Sequence, residues 1–280
     1  MTWSLGAVLQ HLLPHKLLCA CVYRLARCRA AWIKSPLLRW FAGHYKINLA
    51  EAGRTTLGDY ESLNDFFTRS LKAAARPLDP DPRTLVAPVD GTLTQFGTIR
   101  RSALVQAKGM SYTLEALLGE SSPDSAALQD GEFATLYLAP HDYHRVHMPL
   151  DGRWTRSRYL PGDRFSVNER TAAGIRDLFC RNERVVCWFD TALGPVAIVL
   201  VGALNVSSIS TVTQGEIASG PERQWQEDMA PALAKGAELG RFNLGSTVIA
   251  LLPANTLDWL PAIEPGLAVR MGTPLARLRD

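Results

Sequence analysis

No Asp or Glu occurs in the first 50 residues of this 280-residue chain, although the same stretch carries seven of its 30 Lys and Arg. That absence excludes an ordinary solvated front end with balanced charge. The other 230 residues hold 23 bases against all 27 acids, so a basic segment is joined to a mildly acidic body. An anionic surface is the partner this asymmetry suits. Cysteine is scarce: Cys19, Cys21, Cys28, Cys180 and Cys187 form no CxxC pair and no regular framework. A disulfide-stapled scaffold is thereby excluded, and a reducing compartment is expected. No apolar run reaches the roughly 18–20 residues that a spanning helix needs. The best candidate in the body, PVAIVLVGALNV (195–206), reads as a buried strand. Pro14, His15 and Lys16 interrupt the leading apolar run, so a secretory signal is not expected. The chain also lacks repeats, low-complexity segments and any Gly-x-Ser-x-Gly elbow, which leaves an α/β-hydrolase nucleophile unsupported.

What is present is enough apolar chain, 47% of the residues, for one sizeable core or at most two small ones. Seventeen Pro and 21 Gly, spread throughout, argue against a plain helical bundle. Residues 3–42 read as helices broken at Pro14 and Pro36. Leu5, Val8, Leu9, Leu12 and Leu13 recur at helical spacing, as do Leu18, Cys21, Val22 and Leu25, with Arg24, Arg27 and Lys34 among the polar positions. With Trp3, Trp32, Trp40 and Phe41 as exposed-type aromatics, these helices are expected to lie in a lipid interface. A mitochondrial transit peptide shares this chemistry.

Beyond Glu51 the texture changes. LNDFFTRSL (63–71) reads as a short amphipathic helix and RPLDPDP (76–82) as a Pro-rich connector. Short apolar runs then follow at close spacing: LVAPVDGTL, FATLYLAP, RVVCWFD, PVAIVLVGALNV and STVIALLP. They are strand signals, with one helix over 113–118 closed by Gly119. The expected fold is α+β: N-terminal amphipathic, membrane-associating helices over 1–50, then a largely antiparallel β-sheet core with a few helices over 51–280.

Three segments could carry chemistry. His141, His144 and His147 fall within seven residues. A metal site is one reading, but Pro140 and Pro149 discourage a helix that would gather the rings, and no nearby Cys or Glu completes the set. Proton transfer by one or two of the rings is the other reading. Asp90, in PVDG, is either a turn residue or the partner that orients an imidazole. Gly245-Ser246 lies between two apolar runs, where it makes a good two-residue hairpin turn. The same turn could instead set the Ser246 hydroxyl against an unhindered Gly245 carbonyl.

Taken together, LNDFFTR (63–69), PVDGTL (88–93), KGMSYTLEALLG (108–119), YLAPHDYHRVHMPLDG (137–152), LPGDRFSVN (160–168), NERVV (182–186), VGALNV (201–206) and FNLGSTVI (242–249) resemble the bacterial, proenzyme-type phosphatidylserine decarboxylases. Polar Asn205 is a departure within an apolar run. The resemblance implies that Ser246 cuts the chain after Gly245 and becomes a pyruvoyl group, leaving a β chain of residues 1–245 and an α chain of residues 246–280. It implies that Asp90 and His147 activate Ser246, and that the pyruvoyl group then forms a Schiff base with phosphatidylserine and accepts the electrons of decarboxylation. His144 is the candidate proton donor to Cα; Lys108 and Tyr143 read by default as a solvated lysine and a packed tyrosine, with headgroup contact as the alternative. Neither metal nor pyridoxal phosphate is expected, and nucleic acid is not an expected partner. A homodimer is left open. The implied location is peripheral, on the cytoplasmic face of a bacterial inner membrane, with the mitochondrial inner membrane as the alternative. A non-enzymatic metal-binding module and a serine hydrolase that never cuts itself are the competing readings.

Overall fold

The computed structural model describes residues 15–203, 208–226, 231–243 and 246–279, with backbone alone for 15–19. Its front end is a pair of helices, α1 (His15–Ala26) and α2 (Ala31–His44). The helix expected before Pro14, with Trp3 and its leucines, lies outside the described residues, as does Asn205. The break expected at Pro36 does not occur, because Pro36 sits inside α2. Its lost backbone hydrogen bond is offset by burial of Leu38 and Phe41, two and five residues on, against Tyr60, Phe66 and Phe67. Phe41 is therefore core rather than an exposed aromatic, while Trp32 and Trp40 are exposed, at 80% and 57%. A short helix, α3 (Leu63–Phe67), begins where the Ser62 hydroxyl accepts from the Asp65 amide.

The body is α+β and mostly antiparallel, as the strand signals predict. Its strands include β1 (Gly91–Thr98), β2 (Glu132–Leu138), β3 (Arg145–His147), β4 (Gly152–Leu160), β5 (Arg184–Thr191), β6 (Gly194–Gly202), β7 (Ser208–Thr211), β8 (Gly215–Ile217), β9 (Arg223–Gln226), β10 (Glu238–Asn243), β11 (Ser246–Leu252) and β12 (Leu267–Val269). A central sheet runs β9-β4-β5-β6-β11-β2-β1-β12, with Ala232–Leu233 paired to β4. Strand β11 lies in its middle and is buried along its whole length. Alternation sends Val248, Ala250 and Leu252 into the core on one face, and Ile249 and Leu251 into the core on the other. Such a strand is buried on both faces, which is why it reads as a continuous apolar run.

A second sheet runs β8-β7-β10-β3. Strands β10 and β11, on either side of residues 244–245, thus belong to different sheets. Strands β10 and β11 do not pair with each other, as the hairpin expected at Gly245-Ser246 would require. The residues of β10 serve one sheet and those of β11 the other, so a seam between the sheets falls between Asn243 and Ser246.

Candidate active site

Ser246 opens β11 at that seam, in register with Leu138 of β2 and Gly202 of β6. It is fully buried, and its Oγ has no hydrogen-bond partner among the described residues. Leaving a buried hydroxyl unpaired costs about 1–3 kcal/mol, so a serine kept only for packing would be expected to find an acceptor. Asn243, at the other edge of the seam, is held firmly. Its Nδ2 donates to Ser208 Oγ (2.8 Å) and Ser210 Oγ (3.0 Å), and its Oδ1 accepts from Asn64 Nδ2 (3.1 Å).

The histidine segment leaves β2 after Leu138 and enters β3. The Asp142 carboxylate accepts from the Ala139 amide (2.7 Å) and closes the turn, and burial raises its pKa. His144 is fully buried and stacks on Phe67 with ring centroids 4.0 Å apart. Its Nε2 lies 2.9 Å from the Ala139 carbonyl, which can only accept, so the proton sits on Nε2. Nδ1 is then a lone pair, buried and without a partner among the described residues. Burial pushes the ring pKa down to about 3, which keeps it neutral.

His147 is in the opposite condition, with both nitrogens engaged. Nδ1 donates to the Gly236 carbonyl (2.8 Å), and Nε2 accepts from the Tyr143 hydroxyl (3.1 Å). Burial lowers its pKa as well, against the pull of the Gly236 carbonyl. The three histidines do not converge: His141 faces Asp142 at 3.5 Å and is more than half exposed. Among the described residues no group of three or more His, Cys, Asp and Glu is placed to hold a metal ion.

Asp90 enters the site because the His147 amide bonds the Pro88 carbonyl (2.8 Å), which lays the PVDG segment along β3. Gly91 then packs so closely on β2 that a Cβ there would lie 2.3 Å from the Tyr137 carbonyl oxygen. The Asp90 carboxylate receives Arg76 Nε at 2.8 Å and the Met271 amide at 2.9 Å, and does not bond His147. The Arg76 side chain is itself only 8% exposed and also holds Glu51 at 2.8 Å. Asp90 and Ser246 therefore precede or open the two strands that flank β2, at the end where β2 closes. The histidines follow from that same end, and the His144 carbonyl accepts from the Phe242 amide (3.0 Å) just before the seam. No hydrogen-bonded relay joins Asp90, His144, His147 and Ser246 directly among the described residues. Gly245 lies outside the described residues.

Sequence reasoning missed Arg76, read only as part of a Pro-rich connector, and Arg69, at the end of the LNDFFTR motif. A lone base between an alanine run and a proline, as Arg76 is, carries no periodic signal. Lys108 sits in the turn between Ala103–Ala107 and Met110–Thr113 and does not line the cleft beside Asp90. Tyr143 does line it. That cleft has a volume of about 380 Å³.

A buried serine, unpaired among the described residues and beside a segment bearing two neutral imidazoles, has the parts of a nucleophile-and-base site, which defines the chain as a candidate enzyme rather than a binding module. Comparison with known proteins gives the family. The phosphatidylserine decarboxylase family model matches residues 63–277, and a shorter model described as PSD matches residues 5–46. The chain is 47% identical over 274 residues to a phosphatidylserine decarboxylase proenzyme of Azotobacter vinelandii, covering 96% of each chain. It is 48% identical over 283 residues to the proenzyme of that name from Pseudomonas putida, covering 99% of this chain and 98% of the relative. The proenzyme of Ectopseudomonas mendocina is 48% identical over 270 residues, with 94% of each covered. The chain belongs to the phosphatidylserine decarboxylase family and is an enzyme of that family.

Proposed function

We propose that this protein converts phosphatidylserine to phosphatidylethanolamine after cutting itself between Gly245 and Ser246. The observation that carries this reading is the fully buried Ser246 hydroxyl at the seam between sheets, without a partner among the described residues, in a chain of this family. The Ser246 Oγ attacks the Gly245 carbonyl, and His147 Nε2 takes its proton once Tyr143 yields that nitrogen. Asp90 favours the resulting imidazolium through its field rather than through a bond. The Gly245–Ser246 C–N bond breaks as the departing amine takes the proton from His147, leaving an ester. Loss of the Ser246 Cα proton then expels the Gly245 carboxylate and leaves dehydroalanine, and hydrolysis with loss of ammonia gives the pyruvoyl group. The chain is divided into residues 1–245 and 246–280.

The position fits such a group: residue 246 is buried, and its side chain has no competing hydrogen bond among the described residues. When present, the pyruvoyl ketone supplies an electron sink for the carbon that loses CO2. The chain's own residues handle the protons. His144, whose Nδ1 is buried without a partner among the described residues, relays a solvent proton and returns it to Cα after CO2 leaves. Its low pKa makes the protonated ring a strong acid, which favours that return.

The front end supplies docking on an anionic bilayer. Trp32, Trp40 and Leu25 are exposed beside Arg24 and Arg39, which make no ion pair among the described residues. Among the described residues no helix is long and apolar enough to cross a membrane. A denaturing gel of the purified protein and of Ser246→Ala tests the reading. The first should run as two chains and the second as one; a single-chain, active wild type would refute it.

A further inference from the structure

The cleft beside Asp90 contains two arginines in contrasting states. Arg76 is fully matched, by Asp90 and Glu51. Arg69 is only 4% exposed and has no carboxylate bonded to it among the described residues. Its Nη2 donates weakly to the His141 and Asp142 carbonyls, both at 3.3 Å, while Nε and Nη1 find no acceptor among the described residues. A buried guanidinium without a counter-ion is costly, and an anion brought into the cleft would relieve that cost.

Two further cations stand at the cleft's mouth. Lys46 is exposed and adopts a left-handed backbone (φ 50°), two residues past the end of α2. A non-glycine residue held in that region is strained, and such residues gather at ligand sites. Arg270 is 66% exposed, with only a long contact of 3.5 Å to Glu51. Lys46, Arg69, Arg76 and Arg270 line the cleft against three carboxylates, Glu51, Asp90 and Asp142. The helix that delivers Lys46 also carries exposed Trp32 and Trp40, so the mouth opens beside the surface with the features of a lipid interface.

Resting on the decarboxylase reading, we propose that this cleft binds the phosphodiester of the lipid headgroup, with Lys46 and Arg270 at its mouth and Arg69 in its wall. The substrate has two anionic groups, and the chemistry separates them. A cation bonded to the carboxylate would stabilise the charge that must leave as CO2 and so oppose the reaction. The phosphodiester keeps its charge throughout, so cations on it hold the substrate without penalising the transition state. Its place in the lipid agrees, since the phosphodiester lies between glycerol and the serine moiety that must reach Ser246. Gly91 and Ala139, in the cleft wall, flank the Leu138 position opposite Ser246.

The test uses monomeric dihexanoyl-phosphatidylserine, which removes docking on a bilayer from the measurement. The double variant Lys46→Ala/Arg270→Ala should cut itself completely, raise KM about tenfold or more, and leave kcat within about twofold. Arg69→Lys should show the same pattern, and the two exposed positions keep the test valid if it misfolds. Glycerophosphocholine, a phosphodiester without carboxylate or primary amine, gives a readout independent of turnover. Its binding, followed by saturation-transfer NMR, should weaken by a similar factor in the double variant. Unchanged KM and unchanged glycerophosphocholine binding would overturn the assignment, as would a loss confined to kcat. Weakened glycerophosphocholine binding in a protein that never decarboxylates phosphatidylserine would keep the phosphodiester site and remove the decarboxylase reading instead.

Discussion

Around Asp90 and His147 the strong donors and acceptors are matched, carboxylate to guanidinium and imidazole to a carbonyl and a phenol. Around Ser246 and His144, by contrast, one hydroxyl and one ring nitrogen are buried and unmatched among the described residues. Matched polar groups hold a fold in place, whereas unmatched ones in a close-packed interior store free energy that chemistry can release. The matched half is thus the frame that holds the base for self-cleavage, and the unmatched half carries the hydroxyl and the ring nitrogen left open for reaction.

The largest effect expected from that division is at Ser246. Ser246→Ala should abolish self-cleavage and decarboxylation together, read as a single band on a gel and no CO2 release. Next, His144→Ala should still cut itself but decarboxylate about 10²–10⁴-fold more slowly. Normal turnover, or an uncut chain, would blur the contrast between the two histidines. On the matched side, Asp90→Asn removes one of the two carboxylates that match the Arg76 charge and leaves it Glu51 alone. In a Ser246→Ala background, which fixes the number of chains, urea unfolding should show a loss of about 3 kcal/mol.

The pH dependence is smaller per step. His144 and His147 are buried neutral, with folded pKa values below the unfolded 6.5. The unfolded chain therefore binds protons first as pH falls. Their contribution to stability is full above about 6.5 and declines below it, toward about 3 for His144. The slope is about 1.4 kcal/mol per pH unit for each such group. His144→Phe in the uncut background should flatten the slope between pH 6.5 and 4. Smallest is the front end, where each cation near an anionic bilayer contributes about 1 kcal/mol. Arg24→Gln and Arg39→Gln should each weaken sedimentation with anionic vesicles, less so in high salt. Binding indifferent to salt would count against docking by charge.

Much of this was legible in the sequence, for physical reasons. Apolar runs such as STVIALLP, short and bounded by turn residues, are strands buried on both faces of a sheet. The HDYHRVH spacing placed two buried imidazoles in the candidate site. What the sequence could not show was partner choice. Pro36 is tolerated because Leu38 and Phe41 are buried, a tertiary effect with no local signal. The turn chemistry of Gly-Ser is the same whether the flanking strands pair with each other or, as here, with different sheets. Arg76 and Arg69 look alike as isolated bases; only the folded chain gives one a carboxylate and denies it to the other.

The intact mass of the small chain tests the central claim most directly. Purified, active protein should yield a fragment of residues 246–280 whose first residue carries a ketone in place of the serine amine, reactive toward phenylhydrazine and blocked to Edman degradation. An active protein whose residue 246 is still serine, joined to Gly245, would contradict it.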